Sequence, residues 1–208
     1  SMCNMINEAG GNSTTKAKEI KQHQLFGIEF DKEIFALSCA NMLIHKDGKT
    51  NIEQLDSKGE EASKWIKEKD ITKVLMNPPF ENKYGCLEIL LNVMDSVPRD
   101  TECAFILPDK KLEVNMSKTK KILRHHTLLK IIKLPNETFS GTTTSIFIFK
   151  SGIPHKEKKV FACAILNDGL ETVKNQGRQD IKNLWPNIEE YWTDVIYRQT
   201  GDDSIQWL

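Results

Sequence analysis

The sequence predicts an α/β protein built on a largely parallel sheet with helices on both faces. Three observations carry that expectation. Short apolar runs alternate with helix-length amphipathic stretches from Leu25 to Lys150, the pattern of strands joined by crossover helices. The run Lys73-Val74-Leu75-Met76 stops at Asn77-Pro78-Pro79-Phe80. Proline cannot continue a central strand and fixes the backbone where it leaves the sheet. Leu128 to Leu134 and Ser145 to Lys150 follow one another with no helix between them. They are joined by a loop of roughly ten residues, long for a hairpin and of a length at which loops carry function.

Taken in order, residues 2–9 read as the tail of a helix and Gly10-Gly11-Asn12-Ser13-Thr14-Thr15 as a flexible connector. Lys16 to Gln22 is polar, a short helix or a lead-in, and Leu25 to Phe30 is the first clear strand. Asp31 is placed to cap a helix in which Ile34, Phe35, Leu37 and Met42 recur at helical spacing. Asp47-Gly48-Lys49 is a turn, Thr50 to Leu55 a short strand, and Glu60 to Lys69 a charged surface helix with Trp65 and Ile66 inward. After the proline motif come a helix from about Tyr84 to Ser96, a strand from Thr101 to Leu107 and a basic helix from Leu112 to Arg124. Lys158 to Leu166 reads as a further strand. Pro186 to Tyr197 reads as a helix, in a tail that carries Trp185, Trp192 and Trp207.

At 208 residues the chain is one domain, or one domain with an appendage, able to bury a core without metals or disulfides. Lys+Arg and Asp+Glu are both 29. A chain that gripped nucleic acid by itself would be basic, so neutrality favours a module whose nucleic-acid contacts come mainly from another subunit or domain. Cys3, Cys39, Cys86, Cys103 and Cys163 are odd in number and scattered, which points to a reduced, cytoplasmic protein with buried thiols. No apolar run is long enough to cross a bilayer, and no secretory signal is present. Ser1 before Met2 reads as a remnant of expression. His125 and His126 lack the Cys or spaced acid companions of a metal site, so no metal is expected. Lys110, Lys111, Lys118, Lys120, Lys121 and Arg124 are either a solvated face or phosphate contacts.

Ligands of open α/β sheets sit at the carboxyl ends of the strands, which is where Asn77-Pro78-Pro79-Phe80 falls. The motif offers two acceptors, the Asn77 side-chain oxygen and the Pro78 carbonyl, beside an aromatic ring. Those groups suit an exocyclic amino group on a nucleobase. Its nitrogen is a poor nucleophile because the lone pair is delocalised into the ring, and acceptors on its N–H bonds return density to it. Pre-positioned dipoles of this kind are usually the largest catalytic term. Phe80 can stack on the base, and Pro79 holds it rigidly after Pro78.

The motif and its flanks resemble the amino-group DNA methyltransferases that make N6-methyladenine, specifically the modification subunit of type I restriction-modification systems. The resemblance runs in order through Gln24-Leu25-Phe26-Gly27-Ile28-Glu29-Phe30-Asp31, Ala36 to Met42, Asp56-Ser57, Glu102 to Pro108, Ile131 to Phe139 and Thr143 to Lys150, covering roughly residues 20 to 152. It implies a Rossmann-like fold of the S-adenosylmethionine (SAM)-dependent methyltransferases, mostly parallel with an antiparallel terminal strand. It divides the chain into a partial catalytic domain, 1–152, and a C-terminal extension of the same domain, 153–208. It implies site-specific methylation of adenine N6 in DNA, with SAM as cofactor and with specificity and restriction subunits as partners. Asn77 and Pro78 would polarise the amino group and Phe80 would clamp the ring; Phe139 would wall the pocket for a flipped base, or else is a loop residue folded onto the core. Glu29 would hold the SAM ribose, or else is a surface or capping acid. Asp56 would accept from the SAM adenine, or else makes a local turn.

One family feature is missing. The first strand of the resembled fold ends in a glycine-rich loop around the methionine part of SAM, and nothing before Leu25 supplies it. The chain therefore reads as a family domain that begins too late, possessing the fold but of open activity. That strand lies between the second and fourth strands of the family's sheet, so two strand edges should be left unpaired. The expectation is a groove there, or a strand borrowed from a second copy, rather than an unbroken sheet of six or seven strands. Two rivals stand beside the DNA reading. One is a glutamine-amide methyltransferase of the same fold, which usually shows Tyr where Phe80 stands. The other is a non-catalytic assembly or DNA-binding module, favoured by the missing loop and the Trp-rich tail.

Overall fold

The computed structural model describes residues 7, 10, 11, 14–44 and 51–208. The expected turn at Asp47-Gly48-Lys49 and most of the expected helix over residues 2–9 lie outside them. The chain divides into two compact units, residues 1–68 and residues 69–208.

In the first unit, Thr14 caps the short helix α1 (Thr15–Glu19) by accepting the Ala17 N–H at 3.0 Å. The helix widens into a π-type turn over Ile20–Gln24, and Ala17 and Ile20 are buried. β1 (Gly27–Glu29) and β2 (Ile52–Gln54) pair in parallel, Gly27 opposite Ile52 and Glu29 opposite Gln54. A Cβ on Gly27 would meet Ile52 at 3.3 Å, so glycine suits this close pairing. Between them, α2 (Lys32–Ile44) starts where Asp31 Oδ1 accepts the N–H groups of Glu33 and Ile34, the cap the sequence predicts. None of the residues of α2 is buried, and Leu37, Leu43 and Ile44 are exposed. α3 (Glu60–Lys67) buries Ala62 and Ile66, and Trp65 meets Phe26 edge to face with centroids 6.0 Å apart.

The second unit holds a six-stranded sheet. Its strands are β3 (Lys73–Met76), β4 (Glu102–Pro108), β5 (Thr127–Lys133), β6 (Thr144–Lys150), β7 (Phe161–Ala164) and β10 (Gln206–Trp207), in the spatial order β10-β7-β5-β6-β4-β3. β3 and β4 are parallel, as are β5 and β7; β6 runs antiparallel to both β4 and β5. Four strands thus share one direction, with β6 and β10 opposed to them; a mostly parallel sheet with an antiparallel strand is the predicted fold class. β4 alternates strictly, burying Cys103, Phe105 and Leu107 on one face, as period-2 patterning requires. α4 (Cys86–Ser96) buries Leu87, Leu90, Val93 and Met94, and each such side chain contributes ~1.5–3 kcal/mol relative to exposure. α5 (Met116–His125) buries Thr119 and Ile122, starting later than the sequence predicts because 109–115 form turns. α6 (Trp185–Arg198) sets Trp192 and Ile196 against Ile132, Phe161 and Cys163.

The strands expected to flank the missing one fall in different sheets. β1 pairs only with β2, and β3 is the edge of the six-stranded sheet. That sheet reaches six strands by recruiting β7 and β10 from beyond residue 152, not by holding β1 and β2. On the β3 edge, Leu75 is 79% exposed. The hairpin β8 (Glu171–Val173) and β9 (Gly177–Gln179) was not expected from the sequence.

Candidate active site

The parallel strands β3 and β4 end on the same side of the sheet, and the loop from β5 to β6 rises there too. The chain leaves β3 at Asn77, which is exposed, while Pro78 is buried and Phe80 half-buried. Burial of Pro78 between two exposed neighbours pins the loop to the sheet end. The Asn77 side chain takes no hydrogen bond from the described residues, so both its carbonyl and its amide are available. Downstream, a 3-10 turn over Asn82–Tyr84 leads to Gly85, whose φ of 67° is the left-handed conformation that opens α4.

The long loop, residues 134–143, carries Phe139 to the motif. The Phe80 and Phe139 rings meet edge to face, centroids 5.3 Å apart and planes at 70°. Inside the loop, Pro135 is buried and its carbonyl accepts both the Thr138 N–H, at 3.0 Å, and the Thr138 hydroxyl, at 2.8 Å. Glu137 pairs with Arg178 of β9 at 3.1 Å, and Arg178 also pairs with the buried Asp168 and donates to the Leu170 carbonyl. The hairpin β8–β9 thus braces the loop that presents Phe139. A cleft of about 360 Å³ opens beside Arg178, Glu137 and Asn167.

The end of β4 is tied in as well. Asp109 accepts the Ser145 hydroxyl at 2.8 Å and lies 3.8 Å from the Lys133 ammonium. Lys111, which the sequence left as a solvated or phosphate-facing cation, is half-buried and donates to the Phe80 carbonyl at 3.1 Å. Its ammonium also hydrogen-bonds the Cys86 thiol, whose pKa is raised by burial and drawn partly back by Lys111. The other buried thiols are inert: burial pushes Cys103 up to about 12 and Cys163 up to about 11. Among the described residues no cluster of His, Cys, Asp and Glu could hold a metal, and no helix is long and apolar enough to cross a membrane.

Glu29 and Asp56 sit at the carboxyl ends of the paired strands β1 and β2, in the first unit. Glu29 accepts the Asp31 N–H at 2.9 Å through Oε1, and its carbonyl accepts the Leu55 N–H. Asp56 is exposed and shapes its own turn: Oδ1 accepts the Lys58 N–H at 3.0 Å and the carbonyl accepts the Gly59 N–H at 2.8 Å. Glu29 therefore serves a local turn through one side-chain oxygen, and Asp56 through Oδ1, with Oδ2 4.0 Å from the Lys58 ammonium.

Two residues of this region, Lys111 in its anchoring role and Arg178, were not picked out from the sequence. Arg178 had a usable signal: Lys174-Asn175-Gln176 between Glu171-Thr172-Val173 and Gly177-Arg178-Gln179 is turn chemistry between two short strand-like runs. Lys111 had none beyond its place after a strand end.

A sequence model of the family described as N-6 DNA Methylase matches residues 4–111. The chain is 28% identical over 215 aligned residues to the type II restriction enzyme and methyltransferase RM.BcgI of Heyndrickxia coagulans, covering 92% of this chain and 34% of that protein. Its fold is similar to a modification subunit of a putative type I restriction enzyme from Vibrio vulnificus, with a TM-score of 0.65 and 15% identity over 94% of this chain and 46% of that one. It is also similar to the type I restriction enzyme EcoKI M protein, with a TM-score of 0.64 and 16% identity over 90% of this chain and 44% of that one. The chain thus spans about a third of the curated relative and under half of these solved structures.

Proposed function

The chain belongs to the N-6 DNA methylase family, and from that premise we propose that it methylates the N6 amino group of adenine in DNA, as the catalytic part of a type I-like restriction-modification assembly. The observation that carries this reading is the open Asn77 amide at the end of β3, with Phe80 and Phe139 converging beside it. The proposed partners are DNA and the specificity and restriction subunits, and the proposed setting is the cytoplasm.

The residues present suit SAM in part. Glu29 stands at the end of a parallel strand with only Oε1 engaged in its turn, a placement that suits ribose hydroxyls. Asp56, exposed at the end of the neighbouring strand, suits an amino group of the cofactor's base. SAM supplies an electrophilic methyl group when bound. The chain's own groups then act on the acceptor. The Asn77 carbonyl and the Pro78 carbonyl would accept from the two N–H bonds of the adenine amino group, raising the electron density on its nitrogen. Phe80 stacks on the ring and Phe139 closes its edge. Positioning an acceptor in this way can lower a barrier by several kcal/mol, up to ~7–11 kcal/mol in the best cases. The proton leaving the methylated nitrogen passes along the acceptors to solvent.

A second reading is a non-catalytic assembly module, and the open edge of β3 with its exposed Leu75 favours it. Calorimetric titration of SAM into the purified chain, followed by tritium transfer from labelled SAM to unmethylated genomic DNA, separates the two. Saturable binding and transfer that Asn77→Ala abolishes support the methyltransferase. A folded chain that binds no SAM and transfers nothing supports the module.

A further inference from the structure

Prolines 78 and 79 restrict the motif loop on its upstream side, but nothing in the sequence restrains Phe80 on its downstream side. Residues 81–84 are polar and turn-forming, and Gly85 follows in a left-handed conformation. A ring that is to meet a base in one orientation needs its own backbone held. Among the described residues, Lys111 does this. Lys111 lies in the turn after β4, and its backbone is fixed at both ends: its N–H donates to the Pro108 carbonyl at 2.9 Å, and its carbonyl accepts from the Asn115 amide at 2.8 Å. From that fixed base its side chain crosses to the neighbouring loop and donates to the Phe80 carbonyl at 3.1 Å. The ammonium also neighbours the Cys86 thiol at the start of α4. Lys110, next to it, is exposed, so the inward course belongs to Lys111 alone of the pair.

We propose that Lys111 is a positioning residue for the motif: its ammonium clamps the Phe80 carbonyl and thereby fixes the ring that faces Phe139. This rests on the reading of Asn77–Phe80 as the loop that holds the target base. A hydrogen bond from a charged donor is roughly twice as strong as a neutral one, and a partly dry setting strengthens it further. The clamp ties the end of β4 to the end of β3, so the loop cannot relax independently of the sheet. An uncharged side chain of similar length, as in Lys111→Met, fills the space but supplies no donor. Arginine keeps the charge and the donors.

The test uses the full chain with 4-fluorophenylalanine at position 80, observed by fluorine NMR, alongside methyl transfer to genomic DNA. The expected result is one sharp resonance in the wild type and a shifted or at least twofold broader one in Lys111→Met and Lys111→Gln, with Lys111→Arg close to wild type. Where the wild type transfers methyl, Lys111→Met should lower kcat about tenfold with the KM for SAM unchanged. A Lys111→Met chain that is folded by circular dichroism and keeps the wild-type resonance overturns the proposal. If both neutral variants lose the fold, Lys111 is a structural residue and the proposal also falls. If the wild type neither binds SAM nor transfers methyl, the methyltransferase reading fails for this chain, while the fluorine spectra still decide whether Lys111 orders Phe80.

Discussion

Phe80 and Phe139 come from two different loops and touch edge to face, their ring centroids 5.3 Å apart. Such pairs contribute ~0.5–1.5 kcal/mol beyond the area they bury. A flat base stacked on the Phe80 face needs a layer of about 3.5 Å at ordinary contact distance. On the proposed function, an adenine received here must part the rings. Replacing Phe80 by Ala should cost the stacking contact, ~1–3 kcal/mol per base, a loss of roughly 5- to 150-fold in kcat/KM for DNA. Phe139→Ala should cost less, and steady-state methyl transfer measures both.

Asn77 separates activity from stability. Its side chain is exposed and takes no hydrogen bond from the described residues, so Asn77→Ala should shift the unfolding free energy by less than about 0.5 kcal/mol. Loss of one of the two acceptors should lower methyl transfer by about 10²–10³-fold, as for other pre-organised polar groups at reacting centres. Urea unfolding and transfer rates on one preparation check the two halves. A variant that unfolds early assigns Asn77 a structural role.

Arg178 and Asp168 make a buried ion pair, with side chains 16% and 10% exposed. Arg178→Ala leaves the Asp168 carboxylate buried without its cation and should destabilise the chain by ~3–5 kcal/mol. Glu137, 77% exposed, should matter little: Glu137→Gln is expected to change stability by under about 1 kcal/mol. Denaturant midpoints of the two variants test this ordering. The Arg178 change should also loosen the loop that carries Phe139.

His126 sets an acid limit on stability. It is 1% exposed; Nδ1 accepts the Gly152 N–H at 3.1 Å and Nε2 lies 3.1 Å from Asp95. Burial lowers its pKa, and neighbouring His125 adds to that, against the opposing pull of Asp95. His155 is lowered as well, by burial and then by Lys158. Both bind a proton more readily in the unfolded chain. Their contribution is therefore complete above the unfolded value, about 6.5, and declines as pH falls below it. The carboxylates held low by their partners, Glu102 beside Lys73 and Asp202 beside Ser204 and Tyr191, keep their contribution until pH falls below about 4. Unfolding free energies should drop between pH 7.5 and 5.5, and His126→Gln should flatten that slope. An unchanged slope would show that His126 does not control it.

Much of this protein was legible in the sequence because it is local. The strand run Lys73–Met76 ends where Asn77 and two prolines dictate, Asp31 caps its helix, and Ile66 turns inward, each decided by residues a turn or less away. The family followed from the motif and from the order of its flanks. The tertiary structure alone decided what depends on distant pairing. β1 and β2 form one sheet, and β3 lies at the edge of another. β7 and β10 complete that second sheet because β7 pairs with β5 and β10 with β7, contacts that no local pattern encodes. Phe80 meets Phe139 and Lys111 reaches the Phe80 carbonyl only because β3, β4 and β5 end on one side of the sheet and bring their loops together, and Arg178 reaches Glu137 from the separate hairpin β8–β9. Periodicity and propensity report which face of an element is apolar. Which loop a lysine crosses to is settled by strand order and register, and those emerge only when the whole sheet is assembled.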